Sequence, residues 1–195
     1  ASLAPEHISS YCLTVEEGTN FHRRRDSLDL PDEDTVGDMY DDMCEILAKY
    51  GYHKYEISNF AHKGRESKHN IKYWRLEDYL GFGPAAHGCF DSTRYGHTRD
   101  IEAYIRGENT YCEINRIELC ERMNEYVMLG MRLSEGIRIS DFEARFGQSF
   151  EEMFGQKLRK YAPEYVYLDG DRCAFTPRGM FVSNFILSDV LDFEN

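Results

Sequence analysis

Apolar and polar positions alternate over the first clear element of the chain. In HISSYCLTVEEGT (7–19), Ile8, Tyr11, Leu13 and Val15 stand among polar neighbours, which predicts a strand ending in the turn-like EEGT. A basic loop, HRRRDSLD, follows, and then the period changes. Val36, Met39, Tyr40, Met43, Ile46, Leu47 and Tyr50 recur at steps of three and four, the stripe of an amphipathic helix. Asp32, Glu33 and Asp34 suit its positive N-terminal end, and Gly51 closes it. YHKYEISNF (52–60) is a short β-rich run. Strand, helix and strand with tight joints predict a βαβ unit and a parallel sheet.

Residues 61–68 read as polar loop, CFDSTRYGHTRD as a small hairpin and IEAYIRG as a short helix. Near residue 108 the style changes. Leu119, Cys120, Met123, Tyr126, Val127, Gly130 and Leu133 form a strong helical stripe, ISDFEARFG a second helix and SFEEMFGQKLRKYA a third. YVYLDGDRCAF predicts a hairpin turning at Asp169–Gly170, and Thr176–Pro177 opens a final helix, a cap followed by proline. Three helices, a hairpin and a closing helix suggest a winged-helix-like arrangement. The expected fold class is α/β plus α+β, with one domain over 1–108 and a mostly helical one over 109–195. A single βαβ unit cannot close a sheet, so the pattern reads as the C-terminal part of a larger protein.

Composition narrows the function. The 195 residues are 42% hydrophobic and 14% aromatic, ample for a packed core. A formal net charge of −12 repels phosphate backbones and argues against nucleic-acid binding. No apolar run reaches membrane-spanning length, and no signal-peptide pattern occurs, so a cytoplasmic protein is expected. The six cysteines are scattered, and no C-x-x-C spacing is present, which predicts free, mostly buried thiols.

Two stretches carry candidate chemistry. KHNIKYW (68–74) gathers His69, Asn70, Tyr73 and the single tryptophan, Trp74. The quartet reads either as a packed corner or as a surface for a flat aromatic ligand. GFGPAAHG (81–88) reads either as a simple loop or as a backbone turn, at Gly81 and Gly83, that approaches a ligand closely. Glu56 and Asn59 close the expected inner strand, where α/β folds build sites, and line a pocket or bond the loop. Arg23, Arg24 and Arg25 read as a solvated charge run or as forks for substrate carboxylates.

HISSYCLTVEEGT, LPDEDT, YEISNFA, HNIKYW and YLGFGPAAHG, in this order and spacing, resemble the C-terminal half of a radical SAM family. This is the oxygen-independent coproporphyrinogen III oxidase-like (HemN/HemW) family. H-N-x-x-Y-W is typical of its HemW branch, and ERMNEYVMLGMRLSEGI to SNFIL looks like its C-terminal domain. Two departures stand out. Many relatives read C-R-H-N where this chain has Ser67–Lys68–His69–Asn70, and G-P-G-A-H-S where it has GPAAHG, with Ala85 and Gly88 as the changed positions.

The resemblance implies the later part of a partial (β/α) radical SAM barrel followed by the winged-helix-like domain. It implies S-adenosyl-L-methionine and a [4Fe–4S] cluster in the full-length parent only, because no cysteine pair here has the C-x-x-x-C-x-x-C spacing. The chain alone is then inert. His69, Asn70, Tyr73 and Trp74 become heme-binding candidates, with His69 as an iron ligand, and Thr14 and His87 fall beside the SAM pocket. The expected partners are porphyrin or heme, the N-terminal half of the parent, and a second copy through an exposed barrel edge. The alternatives are a non-enzymatic heme-trafficking module and a winged-helix interaction module.

Overall fold

The computed structural model describes residues 3–191 and divides into two compact units, one through Glu66 and one from Ser67. The first unit holds β1 (His7–Ser9), α1 (Asn20–Arg23), α2 (Glu33–Lys49), β2 (His53–Lys54) and β3 (Asn59–Ala61). Asp32 caps α2 by accepting from the Thr35 amide at 2.8 Å, and Gly51 leaves it at φ +81°. Of the expected stripe, Leu47 is buried with Tyr52 and Phe60, and Met43 packs at the margin. Met39, Ile46 and Tyr50 of the same stripe are exposed.

The parallel βαβ sheet is not what forms. The sheet order is β1-β3-β2 and both pairings are antiparallel. The run 52–60 folds back on itself: Ser58 N donates to Glu56 Oε1 at 3.1 Å, and Tyr55 N donates to Asn59 O at 3.2 Å. That side-chain-closed turn inserts β3 between β1 and β2, which share a direction but do not pair. The first strand is also shorter than its alternation predicts. Pairing stops at Ser9, and Tyr11 and Leu13 are exposed.

The second unit opens with α3 (Lys68–Trp74). An antiparallel sheet follows, with β4 (His87–Phe90), β5 (Thr93–His97), α4 (Ile101–Ile105) and β6 (Tyr111–Arg116) in strand order β4-β5-β6. The β4–β5 hairpin turns on Asp91 and Ser92 at φ +46° and +56°, the two left-handed residues of a tight hairpin loop. Then come α5 (Leu119–Gly130), β7 (Ile137–Arg138), α6 (Ile139–Phe146), a π-helical turn (Glu151–Gly155), α7 (Gln156–Arg159), β8 (Val166–Asp169), β9 (Arg172–Phe175), α8 (Pro177–Phe181) and α9 (Ser183–Val190). β9 is the centre of its sheet, flanked by β7 and β8. Phe142 is fully buried within a ring cluster of Phe146, Phe150 and Phe154. The boundary expected after residue 108 falls inside this unit, because β6 pairs along β5. The described cysteines are all free, and no described helix is long and apolar enough to cross a membrane.

Candidate functional site

KHNIKYW forms α3 in full. Ser67 is its N-cap, with Oγ accepting from the Asn70 amide at 3.3 Å. Helical spacing then divides the quartet. His69 and Tyr73 are four apart on one face, with Tyr73 Oη 3.2 Å from His69 Nε2 and the rings edge-on at 5.0 Å. Tyr73 meets Tyr79 edge-on at 4.6 Å. Asn70 and Trp74 are the other pair, about 100° round the helix. Trp74 lines a cavity of about 790 Å³ with Tyr126, Gly130 and Leu133, and its Nε1 is buried without a hydrogen-bond partner. His69 is exposed. The four residues therefore make two surfaces rather than one.

The far end of α3 is strained and clamped. Leu76 takes φ +54°, a left-handed conformation that favours glycine. Leu76 N donates to Tyr73 O at 3.0 Å and Glu77 N to Lys72 O at 2.9 Å, which closes the last turn. Arg145 of α6 donates to Arg75 O at 3.3 Å and Leu76 O at 2.8 Å. Arg75 itself pairs with Glu135 at 2.9 Å. Burial holds the Arg145 pKa below the usual guanidinium range, and the charge of Arg122 adds to the effect.

GFGPAAHG is tied internally. The Gly81 amide donates to Tyr95 Oη at 3.0 Å, and a Cβ on Gly81 would meet the His87 carbonyl at 2.2 Å. A Cβ on Gly88 would lie 2.2 Å from the Tyr95 ring, so Tyr95 requires glycine at this position. Gly83 sits at φ +104°, and Ala85 at φ +60°. The close backbone approaches that the glycines permit are thus made to Tyr95 and His87. His87 is exposed on β4 opposite Gly96.

The remaining candidates belong to the first unit. Thr14 is exposed beyond the end of β1 rather than within a strand. Arg23, Arg24 and Arg25 are exposed. Glu56 is fully buried, and burial raises its carboxyl pKa against the bonds from Ser58 and Asn59 that lower it. One oxygen accepts from Ser58 while Oε2 has no partner. Asn59 is buried and accepts from Ser9 Oγ. Tyr40 donates to Ile57 O at 2.9 Å, and burial pushes its pKa well up.

Sequence reasoning missed the groups around α3. Arg122, Arg145 and Tyr79 line cavities beside it, and Tyr95 sets the glycine loop. Arg122 had one legible signal: it lies three residues after Leu119 and four before Tyr126 of the α5 stripe, so helical spacing puts it on that face.

Residues 117–182 match the HemN C-terminal domain. The chain is similar to the heme chaperone HemW of Lactococcus lactis, 36% identical over 94% of this chain and 51% of that protein. It is similar to HemW of Bacillus subtilis at 32%, covering 94% and 50%. Among solved structures, it resembles coproporphyrinogen III oxidase (HemN) from Escherichia coli, a radical SAM enzyme, with a TM-score of 0.72 and 16% identity over 99% of this chain and 49% of that one. The chain spans about half the length of the curated relatives it matches.

Proposed function

The chain belongs to the HemN/HemW family, and from that premise we propose that it handles heme, binding heme or a related porphyrin at α3. The observation that carries this reading is His69, exposed on a capped helix with Tyr73 one turn on, in the H-N-x-x-Y-W pattern. A neutral imidazole is a common axial ligand of heme iron. In this reading His69 takes the iron and Tyr73 lies along the macrocycle. Asn70 and Trp74 fix the helix on its other side, where the buried Trp74 Nε1 belongs to a separate cavity.

The fold-level part of the proposal is a partial (β/α) barrel over 1–108 and a winged-helix-like domain over 109–195. The order α5-β7-α6-α7-β8-β9, helix-strand-helix-helix-strand-strand, supports the second term. Thr14, His87, Glu56, Asn59, Gly81 and Gly83 remain the proposed SAM-side and lining positions of a full-length parent. In that parent SAM and a [4Fe–4S] cluster would supply radical chemistry, whether for coproporphyrinogen decarboxylation or beside heme delivery. The residues of this chain do not fit such a cluster: no cysteine pair has its spacing, and no described group of three metal-binding side chains converges. The chain alone is read as catalytically inert and cytoplasmic.

A heme titration followed by the Soret band, with His69→Ala beside wild type, tests the reading. One saturating heme that loses its shifted band in the variant supports it. Equal spectra for both proteins sink it.

A further inference from the structure

In a chain with 35 acidic and 23 basic residues, arginines are expected to find carboxylates. Three that converge on one cavity do not. Arg116 at the end of β6, Arg122 in the first turns of α5 and Arg145 of α6 line a cavity of about 420 Å³. Arg122 is 8% exposed, and its guanidinium hydrogen bond goes to the Cys89 thiol at 3.7 Å. Burial raises the pKa of that thiol, so it stays neutral and is a poor acceptor. Arg145 spends its donors on the carbonyls of Arg75 and Leu76. Among the described residues none of the three forms an ion pair, and Asp78 and Glu77 attract Arg145 only from beyond ion-pair distance.

Burying a guanidinium without a counter-charge is costly, and placing a second one nearby adds repulsion. That repulsion is felt between Arg122 and Arg145. The one acidic side chain in the lining, Glu118, is the N-cap residue of α5 and forms no ion pair with the three arginines, while the positive end of α5 faces the same space. Ile117, Leu119 and Phe146 supply apolar wall, and Ser92 completes the lining. Planar forks beside apolar walls suit a planar anion on a hydrophobic carrier.

We propose that this cavity is a binding site for a carboxylate borne on an apolar body, held by Arg122 and Arg116 with Ile117, Leu119 and Phe146 against the carrier. The site uses neither His69 nor Tyr73, and it stands or falls without the heme reading. A bound carboxylate supplies the counter-charge that Arg122 lacks, while the carrier covers the apolar wall.

Calorimetric titration of the 195-residue chain with 3-phenylpropionate tests this, alongside its neutral amide and inorganic phosphate. Saturable binding of the carboxylate, none of the amide, and at least tenfold weakening in Arg122→Met and Arg116→Gln is the expected result. Arg116 is exposed, so Arg116→Gln keeps the test valid where Arg122→Met does not fold. Absence of saturable binding overturns the proposal, as does binding that both variants leave unchanged. Binding of phosphate without 3-phenylpropionate also overturns it, since the apolar carrier would then play no part.

Discussion

Tyr73 Oη lies 3.2 Å from His69 Nε2, so the motif tyrosine engages the outer ring nitrogen that a heme iron would take. Iron ligation through that atom must first break the contact. A hydrogen bond of this kind contributes about 1 kcal/mol, or roughly fivefold in affinity. Tyr73→Phe keeps the ring and removes the competitor. It is expected to tighten heme binding about fivefold, read by Soret titration at fixed pH. Weaker binding would mean that the hydroxyl helps the ligand instead.

Glu56 makes the first unit sensitive to pH. Its folded pKa is raised by burial, so the folded state holds the proton more tightly than the unfolded chain. Below the ordinary carboxyl value both states are protonated and the burial penalty is absent. As pH rises from that value through the raised folded pKa, stability is lost. Glu56→Gln should flatten this slope and raise the thermal midpoint at pH 7, with the two proteins converging near pH 4. A wild-type slope that persists unchanged in the variant assigns the effect to other groups.

The glycine loop predicts a pair of opposite effects. Gly88→Ser puts a Cβ 2.2 Å from the Tyr95 ring and should cost about 1–3 kcal/mol, recovered in part by Tyr95→Ala. Ala85→Gly releases a left-handed alanine at φ +60° and should gain up to about 1 kcal/mol. One change crowds a neighbouring ring and the other relieves the backbone. Chemical denaturation of the three variants decides.

Arg145 holds the carbonyls that end α3. Arg145→Gln is expected to speed amide exchange at Ile71 to Leu76 by tenfold or more while leaving the β8–β9 hairpin protected. Uniformly faster exchange across the unit would show a general loss of stability in place of a local release.

Local signals were legible where one residue type settles one geometry. Thr176 caps the helix it was expected to cap, Asp32 of the expected acidic start caps α2, and the β8–β9 hairpin forms with its loop at Gly170–Asp171, one residue on from the expected Asp169–Gly170. Pairing direction was not legible, because the turn that splits 52–60 contains neither glycine nor proline and is closed by the Glu56 side chain. Leu76 and Ala85 at positive φ give no sign in the sequence, since the surrounding contacts impose those conformations. The division of the quartet was available all along: 69 with 73 and 70 with 74 is the helical period itself.

A helix of seven residues does not hold its shape in water unaided. Whatever keeps α3 wound comes from its surroundings: the Ser67 cap, the Leu76 turn, the Arg145 clamp and the Arg75–Glu135 pair. A ligand taken by His69 would therefore draw on free energy stored in contacts with the rest of its own unit. Thermodynamic linkage makes the exchange reciprocal. Loosening those contacts must weaken the ligand, and the ligand must tighten the unit by the same factor, so affinity and melting behaviour become two readings of one coupling.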